Sequence, residues 1–137
     1  MIASKKYYIG AIREKRGNKK SKTLMRNQRV LTGRLKREGW ELGFGHMLKT
    51  DVYHEKGVDV LMAVDLIVGA YENLYDTAIL VSSDTDLLPA MQKVRQLKKK
   101  IEYIGFGHRP SFAMQAHASI SRLITTLDIS SFLKTED

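Results

Sequence analysis

Two aspartates separated by one residue, Asp84 and Asp86, follow shortly after "TAILVS" (77–82), whose centre Ala78–Val81 is an uninterrupted apolar run. Carboxylates at that spacing repel unless a cation, a proton or helix N–H groups offset their charge. A hard divalent cation such as Mg²⁺ does so readily, because it takes oxygen ligands from a few carboxylates and keeps several waters. The structural alternative is that Asp86 caps the following helix and Asp84 faces solvent. A second acidic group lies upstream, at Asp59 and Asp65 in "EKGVDVLMAVDLI" (55–67). Six residues on a helix is about 600° of rotation, so these two point roughly 120° apart and cannot both aim straight at one ion. Asp59 also suits a first helical turn, where the dipole favours an acid. Asp65, set among Met62, Ala63, Val64, Leu66 and Ile67, either meets a partner or marks a site, because an uncompensated carboxylate in apolar surroundings is costly.

Charge is segregated along the chain. Residues 5–37 hold thirteen Lys or Arg against one acid, Glu14, and residues 51–86 hold eight acids against one base, Lys56. A polyanion-binding segment beside a carboxylate cluster fits this pattern, and so do one solvated basic and one solvated acidic surface.

The elements that must position these acids follow from apolar patterning. "KYYIGAI" (6–12) predicts a strand and "REKRGNKKSK" (13–22) a basic loop. Thr23 is placed to cap a helix reaching about Glu38, with Gly39 as its stop. "WELGFGHM" (40–47) predicts a second strand, and 58–74 a helix with a wide apolar face. "TAILVS" lacks alternation, as in a strand covered on both faces of a parallel sheet. A helix follows from Asp86 to about Lys99, with Pro89 in its first turn, where a missing N–H costs little. "KIEYIGF" (100–106) predicts a strand, 110–118 a helix and "RLITTL" (122–127) a last strand. Strands alternating with helices predict one α/β domain over residues 1–137 with a mainly parallel sheet. In such sheets ligands bind at the carboxyl ends of the strands, where Asp84 and Asp86 stand. Gly-Phe-Gly-His occurs at 43–46 and 105–108, each time at a predicted strand exit.

Other chemistries are excluded or weak. No cysteine is present, so disulfides, thiolate metal sites and a cysteine nucleophile are ruled out, which fits a reducing compartment. No apolar run approaches the roughly 20 residues of a membrane span, and "MIASKKYYIG" lacks a signal peptide's apolar core; a cytoplasmic protein is expected. Neither a phosphate loop nor a dinucleotide fingerprint is found. The four histidines, at 46, 54, 108 and 117, have no close metal-ligand spacing, and no serine nucleophile elbow occurs.

The two acidic blocks carry a resemblance. "EKGVDVLMAVDLI", then "YDTAILVSSDTDLLPAMQKVRQLKKKIEYIGF" (75–106), resembles the NYN domain, LabA-like branch, of the PIN-like nuclease superfamily. That family reads K-G-x-D-x-x-L-A-x-D, then L-V-S-G-D-x-D-F-x-P, then a helix. Ser83 stands where Gly is usual and Leu87 where Phe is usual. The upstream segment is similar to the family's second strand, helix and third strand. The resemblance implies a three-layer PIN-like α/β fold, a mainly parallel central sheet flanked by helices. It further implies a site where Asp59, Asp84 and Asp86 hold Mg²⁺ or Mn²⁺, with Asp65 as a fourth acid and Ser82 or Ser83 as an orienting hydroxyl. Such an ion activates water and stabilises the charge of a phosphodiester displacement. Arg13, Lys15, Arg16, Lys19, Lys20 and Lys22 are the expected phosphate contacts. Tyr7 and Tyr8 are placed either to stack on bases or to join the core.

The chain departs from the family at its start. Relatives open with a strand carrying an acid of the site, whereas no aspartate precedes Asp51 here, so the first strand is expected to be absent. Three functions follow. The first is metal-dependent ribonuclease-type hydrolysis of single-stranded RNA. The second is a catalytically inactive nucleic-acid-binding or regulatory module. The third is an assembly domain whose sheet is completed by strand exchange or in a homodimer.

Overall fold

The computed structural model describes residues 1–10, 17–48 and 54–133; Arg13, Lys15 and Arg16 lie outside them. The chain forms two compact units, Met1–Met62 and Ala63–Asp137.

In the first unit, β1 (Lys6–Ile9) leads to α1 (Lys19–Arg37) and β2 (Glu41–Phe44). Strands β1 and β2 pair in parallel, Lys6 opposite Glu41 through Ile9 opposite Phe44, so the three elements make one strand–helix–strand crossover. The helix is capped five residues before the expected Thr23. Its cap is Asn18, whose side chain accepts from the N–H groups of Lys20 and Ser21 at 3.0 and 3.3 Å, two donors the first turn otherwise leaves unpaired. Gly39, at φ +86°, ends the helix as expected, in a left-handed conformation that glycine adopts without penalty. Trp40 then donates to the Leu35 carbonyl at 3.0 Å and Glu41 to that of Lys5 at 2.9 Å, which sets the register of β2. Tyr8 lies across Gly43, where an added Cβ would come 2.7 Å from the ring; Tyr8 thus packs in the unit, while Tyr7 is 36% exposed. The expected second strand is split. After β2 comes β3 (His46–Leu48), paired antiparallel with β4 (His54–Lys56), a short hairpin strand that periodicity does not reveal.

Helix α2 (Val58–Tyr71) runs across the unit boundary. In the second unit it ends at Tyr71, and Asn73 follows at φ 56°, with Leu74 donating to the Gly69 carbonyl at 2.9 Å. A Cβ on Gly69 would come 2.7 Å from the Tyr75 ring. That closeness lets the Tyr75 hydroxyl reach the Leu66 carbonyl at 2.5 Å, and burial pushes the phenol's pKa up. Strand β5 (Thr77–Val81), a 3₁₀ turn (Thr85–Leu87), α3 (Leu88–Gln96), β6 (Lys100–Phe106), α4 (Phe112–His117), β7 (Ile120–Ile124) and α5 (Thr126–Ser130) complete it. The sheet has the order β5-β6-β7, all parallel. Helix α3 packs on β6. Leu87, Ala90, Met91 and Val94 form its buried stripe, against Ile101 and Tyr103 of β6 and Met114 of α4. Full burial of a large apolar side chain stabilises by about 1.5–3 kcal/mol, so these few positions hold the unit together.

One expectation is corrected. "TAILVS" was expected to be covered on both faces, yet the face of β5 that carries Thr77, Ile79 and Val81 is open. Ile79 is 52% and Val81 56% exposed, and only Leu80 is buried on this strand. The last strand starts at Ile120 rather than 122, and α5 follows it through a capping box between Thr125 and Asp128. The chain is a mixed α/β protein with parallel sheets flanked by helices.

Candidate metal centre

Strand β5 delivers Ser82, Ser83 and Asp84 at its carboxyl end. The turn there is built by its own side chains. Ser82 Oγ accepts the Asp84 N–H at 3.2 Å, and Asp84 Oδ1 accepts the Asp86 N–H at 2.9 Å. Asp84, not Asp86, is therefore the capping residue, and the Leu87 N–H bonds the Asp84 carbonyl at 3.2 Å. Pro89 falls in the first turn of α3 as expected. One oxygen of Asp84 accepts a bond that holds the turn, and the carboxylate keeps further acceptor sites for a ligand.

Ser83 is anchored differently. Its hydroxyl lies 3.2 Å from the Tyr103 hydroxyl, which also accepts the Ser111 N–H at 3.4 Å. Tyr103 is fully buried on β6, so it ties the exit of β5 to the cap of α4. Sequence reasoning missed this residue. The available signal was the alternation in "KIEYIGF", which puts Ile101, Tyr103 and Gly105 on the buried face.

Asp59 stands in the first turn of α2, entered through Gly57 at φ +81°, whose carbonyl accepts the Leu61 N–H at 2.8 Å. Carboxylate oxygens of Asp59, Asp84 and Asp86 all lie within 4.8 Å of one another, and none of the three side chains is buried. Asp65 is half-buried on α2 and does not join this group. Three oxygen donors, reachable by water, suit a hard divalent cation that retains part of its hydration shell; the absence of sulfur and imidazole disfavours a soft metal. Uncompensated, three negative charges at this range repel one another.

Of the expected phosphate contacts, Lys19, Lys20 and Lys22 are exposed on the first turns of α1. His108 stacks obliquely on Phe106, ring centroids 6.1 Å apart, and His117 offers its carbonyl to Arg95. Among the described residues no helix is long and apolar enough to cross a membrane.

The NYN domain profile matches residues 2–127. No curated protein matches the chain significantly. Among solved structures, VPA0982, a protein of unknown function from Vibrio parahaemolyticus, is similar with a TM-score of 0.65. The match covers 88% of this chain and 68% of that one at 24% identity, a level at which the likeness speaks for the fold alone.

Proposed function

Because the chain belongs to the NYN domain family over residues 2–127, and through it to the PIN-like nuclease superfamily, we propose that it hydrolyses phosphodiester bonds in single-stranded RNA with a divalent cation. The observation that carries this reading is the convergence of three carboxylates, Asp59, Asp84 and Asp86. In the proposal these acids hold Mg²⁺ or Mn²⁺, which when bound supplies an activated water and charge stabilisation at the scissile phosphate. Asp84 and Asp86 present their oxygens from a turn already fixed by Ser82, so little ordering is left to binding. Ser82 and Ser83 are the orienting hydroxyls, Ser83 being held in place by Tyr103. Asp65 is a fourth, supporting acid. Lys19, Lys20 and Lys22, with Arg13, Lys15 and Arg16, receive the RNA backbone. The whole chain acts as one LabA-like NYN domain in the cytoplasm, a compartment consistent with its lack of cysteine.

The test is cleavage of a labelled single-stranded RNA in Mn²⁺ by the wild-type protein and by Asp84→Asn. The proposal expects metal-dependent cleavage that falls at least 100-fold in the variant. Equal cleavage by both proteins, or none by either, overturns it. The second outcome would favour the catalytically inactive reading. Among the described residues β5 pairs with β6 alone, and Ile79 and Val81 are exposed on one of its faces; both support a homodimer or strand exchange that completes this sheet.

A further inference from the structure

Helix α1 carries eight Lys or Arg and no Asp or Glu in nineteen residues. At 100° per residue, Lys19, Lys22, Arg26, Arg29, Lys36 and Arg37 fall within an arc of about 100°, over about 27 Å of axis. All six are exposed. The helix packs through the adjoining arc, where Ser21 is buried and Met25, Gln28, Thr32 and Leu35 are half-buried. Lys20 and Arg34 lie off the stripe, on the far side of Val30. The cations are thus a single file, three or four residues apart along most of its length.

A solvated surface helix usually intersperses acids with bases, because like charges three or four residues apart destabilise it. Here Lys19–Lys22, Lys22–Arg26 and Arg26–Arg29 are all such pairs. Three lysines also occupy the N-terminal turns, where the helix dipole disfavours cations. The stripe breaks only at Gly33, around which an added Cβ would meet nothing within 4 Å. Packing therefore does not require glycine there, and its helix propensity is poor. What glycine leaves is a flat gap in mid-stripe where a strand can approach the backbone closely.

We infer that α1 is a nucleic-acid track, and that one single strand lies along its axis with successive phosphates on Lys19, Lys22, Arg26, Arg29, Lys36 and Arg37. Arg26, Arg29, Lys36 and Arg37 extend the contact beyond Lys19 and Lys22, and Lys20 is left beside the track at its start. Charge complementarity selects the partner class, and the width of one cation selects a single strand over a duplex, whose two backbones would need two rows. The inference rests on the RNA partner of the proposed function but not on its chemistry.

The experiment measures binding of a fluorescein-labelled oligouridylate by anisotropy, in EDTA, as KCl is varied. Each phosphate contact contributes about 0.7 to the slope of log K against log salt for a single strand. Arg26→Gln/Arg29→Gln/Lys36→Gln should therefore lower the slope by about 2 and weaken binding about 100-fold at about 0.1 M KCl. Arg34→Gln, on the same helix but off the stripe, should change binding less than about 3-fold. Arg26→Lys/Arg29→Lys keeps the charge and should keep the slope, which separates charge from folding. An unchanged slope in the triple variant overturns the inference, as does an equal loss in Arg34→Gln. So does equal dependence on the stripe for a duplex RNA, or tighter binding to phosphatidylserine vesicles than to the oligomer. Stripe-dependent binding without Mn²⁺-dependent cleavage would sink the nuclease reading alone; Mn²⁺-dependent cleavage with binding that does not depend on the stripe would sink this one alone.

Discussion

Replacing Asp86 by asparagine should make the metal-free protein more stable while removing its response to divalent cations. The oxygens of Asp59, Asp84 and Asp86 lie within 4.8 Å of one another. Two unit charges at that separation repel by about 1 kcal/mol even at the dielectric of bulk water. Asp86→Asn removes two of the three pairs, hence about 2 kcal/mol of repulsion at low ionic strength; at about 0.1 M salt roughly half of it survives screening. Against this stands the loss of an acid at the start of the 3₁₀ turn that leads into α3, a contribution of about 0.5 kcal/mol. The balance is a gain of about 1.5 kcal/mol in low-salt buffer, or roughly 4–7 °C in Tm for a chain of this size. Asp84 is the poorer choice, since its Oδ1 also accepts the Asp86 N–H. The assay is thermal unfolding followed by circular dichroism, in EDTA and in MnCl₂. Manganese at 100 times its Kd should stabilise the wild type by about 2.7 kcal/mol, and the variant by much less. A metal-free variant that melts at or below the wild-type temperature would refute the repulsion argument. A manganese shift of wild-type size in the variant would refute the ligand assignment.

Three further outcomes are expected. Gly33→Ala should stabilise the protein by about 0.5–1 kcal/mol in urea denaturation, since the space around it is open and alanine is the better helix former. Lys98, at φ 65°, closes α3 in the left-handed region, so Lys98→Gly should gain about 1 kcal/mol by the same measurement. Asp128 accepts from the Thr125 N–H at 2.8 Å and from its hydroxyl at 2.9 Å. The backbone bond first and the hydroxyl second hold the Asp128 carboxyl below its ordinary pKa. With that pKa depressed, the folded state binds fewer protons than the unfolded one across this range. Capping of α5 is therefore fully present above the ordinary carboxylate range and is lost as pH falls through the lowered value. Amide exchange at Thr125 should follow that titration, and in Asp128→Asn it should not.

Much of the fold was legible because apolar continuity and turn chemistry agree. "KIEYIGF" is β6 to the residue, and Gly39 ends α1 as its type demands. The start of α1 was hidden because lysines in a first turn oppose the helix dipole, so the basic run reads as a loop and Thr23 as its cap. Strand β4, "HEK", is short and charged; pairing with β3 defines it, and pairing is a non-local fact that periodicity cannot carry. Strand β5 misled in the other direction. Its apolar run matches a strand buried on both faces, yet the face that carries Ile79 and Val81 is open. At the candidate site the acids were legible from residue type and spacing, and helical rotation already separated Asp59 from Asp65. The engagement of Asp84 in its own turn, and the support of Ser83 by Tyr103, were not. Both depend on where side-chain oxygens fall after the chain has turned.

The most direct test of the metal centre is a crystal grown with manganese and measured at the anomalous edge. A peak within coordination distance of carboxylate oxygens from Asp59, Asp84 and Asp86 together is the predicted result. Full occupancy elsewhere on the protein, or none at all while these three side chains point separately into solvent, would contradict it.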